Sequence, residues 1–274
     1  MSIDFSVVIP TFRRPRQLAE ALASVLRQEG VSLEVFVVDD SAEGSARAVV
    51  EGLGDPRVTY VQNPQPTHGC PSIVRNLAWP LAGGEFVHFF DDDDLVPEGH
   101  YAAVKAAFAA RPGVGVVFGH IAPFGDAPAE QMRHEKQFFR DAASRARLCS
   151  RFGAKWGYAA CMMFGRTLLV CGAAVVRRDC VERIGGFDRR IRIGEDVDFY
   201  ARAMRQGGAC FLDRVALHYR IGSPSLMHNP ERDAGEAQQL RQARRWTHDR
   251  YRLERGIVEF YALRAFAVMM LSLV

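Results

Sequence analysis

Acidic side chains gather at a few places in this 274-residue chain, and their spacing is that of a charged-ligand site. Asp91-Asp92-Asp93-Asp94 follows Phe86-Val-His-Phe-Phe90, Asp39-Asp40 follows Leu33 to Val38, and Glu195-Asp196 opens a helix-like stretch. Carboxylates this close repel one another unless a cation or donor neutralises them. A hard divalent ion, Mg2+ or Mn2+, takes oxygen ligands without His or Cys, and when held by one or two carboxylates it usually bridges to substrate phosphates. That chemistry points to a nucleoside-diphosphate ligand. Taken singly, each motif also reads as an ordinary turn, with Asp94 as a cap and Asp196 as an acid favoured by a helix dipole. Thr11, Phe12, Arg13 and Arg14 follow the first apolar run, and the arginines suit phosphate oxygens.

The elements that must position these residues alternate between two periods. Short β-branched runs at 5–9, 33–38, 58–61 and 86–90 predict strands. Helical spacing at 16–28, 46–53 and 73–81 predicts the helices between them. Strand–helix alternation argues for a parallel sheet with helices on both faces. In such a sheet ligands collect at the carboxyl ends of the strands, where the aspartates fall. The second half predicts helices at 101–110, 132–148, 195–205 and 241–255, and strands at 114–118, 168–176 and 211–221. Residues 222–236 read as a polar loop. The apolar stretch Ile257 to Val274 predicts a final helix, interrupted by Glu259 and Arg264 and therefore no full membrane span.

Composition excludes several classes. Hydrophobic residues make up 48% and charged residues 24%, ordinary for a globular protein and wrong for a disordered or fibrous one. Net charge is +3, too mild to argue for a nucleic-acid partner. Lys105, Lys136 and Lys155 are the only lysines, so 32 of the 35 basic residues are arginines. Six scattered cysteines form no Cys-x-x-Cys pair, which argues against zinc and for free thiols in a reducing compartment. The start, MSIDFSVVIPTF, has no signal-peptide pattern, so the expected location is cytoplasmic, with peripheral contact to the inner membrane face as an alternative.

Over most of residues 4–221 the chain resembles the family 2 glycosyltransferases. The resemblance rests on Val7-Val-Ile-Pro-Thr11, Val37-Val-Asp-Asp40, Arg75-Asn76, Gly84 to Asp94 with Pro97, Gly185-Gly-Phe-Asp188 and Gly194-Glu-Asp196, in that order. It implies the GT-A fold: a Rossmann-like, mostly parallel α/β sheet with flanking helices, here with a C-terminal helical extension. It divides the chain into a glycosyltransferase domain, 1–221 (nucleotide-sugar half 1–100, acceptor half 101–221), and a loop and helices, 222–274. It implies a metal-dependent, inverting transfer from a nucleoside-diphosphate sugar, UDP-sugar by default, to a hydroxyl of a saccharide, a lipid-linked glycan or a small molecule.

Site roles follow residue by residue from the resemblance. Pro10, Thr11 and Phe12 line the base pocket, Asp40 accepts from the base, and Arg14 and Arg75 meet base or phosphates. Asp91 and Asp93 match the Asp-x-Asp motif, with Asp93 the direct metal ligand. Asp91 and Asp92 contact the ribose or order the site. Asp196, in the pair with Glu195, is the general base. The family usually reads Asp-Asp-Gly-Ser where this chain has Asp39-Asp40-Ser41-Ala42. His218 is a further metal candidate, in a late segment with Tyr219 and Arg220, and His228 stands in the loop beyond. Gln242-x-x-Arg245-Trp246 matches a pattern of processive synthases, although an Arg-rich amphipathic helix explains it more simply. The last helix reads as core or dimer packing first and membrane contact second. Residues 122–166 are expected to set acceptor specificity. A nucleotidyltransferase, an idle sugar-nucleotide or partner-binding module and a subunit of a membrane polymer synthase are the rival readings. The first would need a Gly-rich phosphate loop, which Pro10 to Arg14 lacks.

Overall fold

The computed structural model describes residues 2–222 and 233–272; His228 lies outside them. Seven strands form one sheet: β1 (Phe5–Thr11), β2 (Leu33–Asp39), β3 (Val58–Gln62), β4 (Phe86–Phe89), β5 (Val116–Phe124), β6 (Ala174–Arg177) and β7 (Ala209–Arg220). Their order is β3-β2-β1-β4-β6-β5-β7. The β1–β2, β2–β3, β1–β4 and β5–β7 pairs are parallel, and β6 runs antiparallel to both β4 and β5. The predicted parallel sheet is therefore mostly parallel, interrupted by one short reversed strand.

Among the described residues ten α-helices flank the sheet or extend from it: α1 (Pro15–Leu26), α2 (Arg47–Leu53), α3 (Pro71–Ala78), α4 (His100–Ala110), α5 (Ala129–Ser150), α6 (Tyr158–Phe164), α7 (Arg178–Ile184), α8 (Glu195–Gly207), α9 (Asp233–Arg255) and α10 (Ile257–Leu271). Pro15 and Pro71 stand in the first turns of α1 and α3, where a missing N–H costs nothing. The core runs along the central strands: Val7, Val8, Ile9, Val35, Val37 and Phe89 are fully buried, as expected for strands covered on both faces.

Three expectations are corrected. The apolar stretch 168–176 is not one strand, because only Ala174–Arg177 pairs. Its preceding carbonyls are taken by side chains: Tyr200 Oη donates to Cys171 O at 3.0 Å, and His88 Nε2 contacts Gly172 O at 2.9 Å. Helices α6 and α7 went unpredicted, each only seven residues and too short to show a helical period. The polar loop is shorter than read, since α9 already begins at Asp233.

Register explains why the charged residues meet. β1 and β2 end level, Thr11 opposite Asp39. β4 pairs with β1 only as far as Val8–Phe89, so the next residues of that chain, Asp91 to Asp93, arrive beside Thr11. The chain crosses from β1 to β2 on one side and reaches β4 on the other. This is the switch point at which open α/β sheets hold ligands.

Candidate active site

A cleft of about 1030 Å³ opens at this switch point. Its floor is the strand-end set. Thr11 Oγ1 donates to Asp92 Oδ2 at 2.7 Å, and Arg14 Nη1 reaches Asp92 Oδ1 at 3.1 Å and Asp93 Oδ2 at 2.6 Å. Burial pushes the Asp92 carboxyl up to about 7 and the neighbouring Asp93 charge adds to it, against Arg14 and Thr11. Asp94 is pushed up well beyond the ordinary range by burial and by Asp93 and Asp91. Its Oδ1 accepts from the Arg220 backbone N–H at 2.8 Å, while Oδ2 is buried with no partner. This floor carries more negative charge than its surroundings easily hold.

Arg75 crosses the cleft. Its guanidinium is buried, donating through Nη2 to Asp91 Oδ1 at 2.6 Å and through Nη1 to Glu195 Oε1 at 2.7 Å. The ring of Phe187 lies 5.3 Å away. Burial works against the charge, but the surrounding Cys171, Asp91 and Glu195 hold Arg75 firmly protonated. Asp196 follows Glu195 in the first turn of α8. Burial, aided by the Glu195 charge, pushes its carboxyl up to about 7, with Arg75 opposing. Gly194, with φ at +77°, makes the turn that presents the pair. A carboxylate that titrates near 7 is poised as a general base.

Asp40 lines the cleft, with its carboxylate engaged by the neighbouring loop. Its carboxylate is buried and accepts four hydrogen bonds, from Asn63 Nδ2, Thr67 N, Thr67 Oγ1 and Gly69 N at 2.6–2.8 Å. It thus fixes the 63–69 loop that walls the cleft, while still reaching the cleft surface. The absent family glycine has no consequence for this turn: among described non-glycine residues only Arg13 and His68 have positive φ, so Ser41 does not. Ser41 instead gives its N–H and hydroxyl to Asp39 Oδ1. Pro10, Thr11 and Phe12 line the cleft as expected, and His68 stands edge-on to Phe12 at 6.1 Å.

His218 is not brought to the site. Its ring packs edge-on to Phe124 at 6.3 Å and its backbone pairs with Leu95, while its neighbours Tyr219 and Arg220 line the cleft. Among the described residues no group of three or more His, Cys, Asp or Glu side chains is gathered to hold a metal by itself. The donor set still fits a hard cation of the kind held by one or two carboxylates, which Asp91 and Asp93 would hold. The raised Asp92, Asp93 and Asp94 and the orphaned Asp94 Oδ2 mark where positive charge is wanted.

The roof was not foreseen. Helix α9 returns over the cleft and lines it with Leu240, Arg241, Ala243, Arg244 and Thr247, one face at helical spacing. The helix is latched to the Gly185-Gly-Phe-Asp188 motif: Arg250 Nη2 lies 2.9 Å from Asp188 Oδ2, and Arg190, itself paired with Asp188, sits 5.3 Å over Trp246. Of the synthase-like pattern, Gln242, Arg245 and Trp246 do not line the cleft. Helix α5 adds His134, Glu135, Phe138 and Phe139, within the 122–166 stretch expected to contact the acceptor. No helix among the described residues is long and apolar enough to cross a membrane.

The model of "Glycosyl transferase family 2" matches residues 6–181. The GalNAc(5)-diNAcBac-PP-undecaprenol beta-1,3-glucosyltransferase of Campylobacter jejuni is 35% identical over 117 residues, 42% of this chain and 37% of that one. Succinoglycan biosynthesis protein ExoM of Rhizobium meliloti is 30% identical over 220 residues, 76% of this chain and 63% of that one. The chain thus spans between about a third and under two thirds of these relatives' length. Among solved structures, Staphylococcus aureus TarS 1–349 superposes with a TM-score of 0.59 at 21% identity, covering 80% of this chain and 60% of that one. The mannosyltransferase PcManGT of Pyrobaculum calidifontis, in complex with GDP-Man and Mn2+, gives 0.62 at 20%, covering 99% and 75%. The fold is accordingly that of the GT-A-like glycosyltransferases. With the family model spanning 176 of the 274 residues, the chain belongs to glycosyl transferase family 2, a family of enzymes that transfer glycosyl groups.

Proposed function

We propose that this chain moves a glycosyl group from a nucleoside-diphosphate sugar to an acceptor hydroxyl, with inversion at the anomeric carbon. The observation that carries the reading is the Asp91–Arg75–Glu195 bridge, which fixes the diphosphate end of the cleft against the turn bearing Asp196. UDP-sugar is the default donor. GDP- and dTDP-sugars are the alternatives, and a GDP-Man complex of a protein sharing this fold keeps the former in view. Residues 1–100 serve as the donor half, 101–221 as the acceptor half, and the 222–274 extension lends the roof. The acceptor is a saccharide, a lipid-linked glycan or a small molecule.

Phe12 and His68 offer the base a wall, and the Asp40-anchored loop sets its width. Arg14 and Arg75 orient the diphosphate. A divalent cation, Mg2+ or Mn2+, held by Asp93 and Asp91, supplies charge neutralisation for the leaving diphosphate when bound. Asp196 takes the acceptor hydroxyl proton as the oxygen attacks the anomeric carbon from the side opposite the diphosphate. Attack from that face inverts the centre, through an oxocarbenium-like transition state.

The test is a thermal-shift panel of UDP, dTDP, GDP, ADP and CDP with Mg2+, Mn2+ or EDTA, since a ligand of the folded state must raise the melting temperature. A metal-dependent shift with one diphosphate, followed by release of that diphosphate on transfer, supports the reading. Release of pyrophosphate instead would favour nucleotidyl transfer and overturn it.

A further inference from the structure

The charges of the cleft do not balance on the acceptor side. On the floor four carboxylates have a cation beside them: Asp91 and Glu195 share Arg75, and Asp92 and Asp93 share Arg14. On the α9 wall Arg241 and Arg244 line the same cleft. Among the described residues neither pairs with an acid. Arg241 Nε donates to Ala237 O at 3.1 Å, and both Arg241 and Arg244 are exposed to the cleft.

Their place is fixed by one contact. Leu240, next to Arg241, rests on Gly194: a Cβ added there would meet Leu240 Cδ2 at 3.1 Å. Arg241 and Arg244 therefore stand beside the turn that carries Glu195 and Asp196. An acceptor hydroxyl handing its proton to Asp196 brings the rest of the acceptor under these arginines. A neutral saccharide offers them hydroxyls only. Two guanidinium groups three residues apart on one helix face, neither paired with an acid among the described residues, match an anion of several oxygens better than a lone carboxylate, which one bidentate arginine already serves.

We propose that Arg241 and Arg244 form a phosphate-binding subsite for the acceptor, so that the acceptor is a saccharide bearing a phosphate or diphosphate. The inference rests on the glycosyl-transfer reading above and narrows its acceptor.

The experiment saturates the full chain with whichever of UDP and GDP binds, at fixed free Mg2+, then titrates inorganic phosphate and pyrophosphate by calorimetry. The expected result is a second anion site on the nucleotide-saturated protein, weakened about 10-fold or more in the Arg241→Gln/Arg244→Gln variant, whose nucleotide affinity is unchanged. Arg245→Gln, on the same helix but off the cleft, keeps the second site. Vesicles doped with farnesyl diphosphate, compared with plain phosphatidylcholine, assign the phosphate to a lipid if the wild type alone binds them; binding of the soluble anions without the vesicles assigns it to a soluble acceptor. Anion binding only in competition with the nucleotide, or a loss of nucleotide affinity in the double variant, would place these arginines on the donor diphosphate and overturn the proposal. Failure of every nucleoside diphosphate to bind would instead count against the donor reading beneath it.

Discussion

Asp91, at the end of β4, and Glu195, at the start of α8, hold opposite ends of one buried guanidinium, that of Arg75. The link ties the sheet to the helix that carries Asp196. Removing it strands two carboxylates without their cation. Arg75→Met is expected to cost about 3–5 kcal/mol, the usual penalty for breaking a buried pair by deleting one partner. Thermal unfolding checks this, and a melting temperature within a degree of wild type would contradict it.

Asp196→Asn is expected to lower kcat by about 10²–10⁴-fold while nucleotide-diphosphate affinity stays within about two-fold, since the amide cannot accept the proton but keeps the shape. Calorimetry alongside a transfer assay reads both. An equal loss in the two would make Asp196 a binding group.

The pH profile carries a sign. Burial and Glu195 raise Asp196 to about 7, so the base form grows as pH rises through 7 and kcat should climb there. Stability runs the other way. A carboxyl that binds its proton more tightly when folded contributes fully below its unfolded value, 3.8, and loses that contribution as pH rises through about 7. Asp196→Asn should remove the rise in kcat, read from a pH–rate profile, and lessen the fall in stability, read from denaturant titrations between pH 4 and 8, with Asp92 keeping part of that fall.

Chelation addresses the metal. With EDTA the thermal shift given by the bound nucleoside diphosphate should shrink to near zero and return with Mg2+ or Mn2+. Asp93→Asn should need about 10-fold more cation for the same shift, one charged ligand being lost. A shift indifferent to EDTA would show that Arg14 and Arg75 suffice for the diphosphate.

The roof has its own latch. Asp188→Asn weakens the hold of Arg250 and Arg190 on the α7–α8 turn. Amide exchange should rise in α9 with little change in β1 or β4, and the acceptor KM should rise while nucleotide affinity holds. Unchanged exchange in α9 would mean that apolar packing alone seats the helix.

How much of this was legible follows from what each signal depends on. Asp91 to Asp94 stood out because aspartates right after a β-branched or aromatic run have few structural uses, and an open sheet says which end they occupy. Arg75 was found by resemblance, but its double bridge was not, because one partner lies 120 positions away. The periodicity of α9 gave its helix, yet it is blind to which neighbour a face meets, so Arg241 and Arg244 passed as surface charge. His218 was misplaced for a simpler reason: β7 bulges against β5 between Leu212 and Leu217, and a bulge of this kind leaves no trace in the sequence pattern that would phase the residues after it.

The reversed strand β6 also sets an order of construction. β1 to β4 come from the first ninety residues, but the outer edge of β4 is closed only by Ala174–Arg177. During synthesis the outer edge of Phe86-Val-His-Phe therefore waits without a partner until some eighty further residues have been made. An open apolar edge of this kind invites pairing with other chains. In that interval Asp91 to Asp94 already exist and the strand that closes the sheet beside them does not.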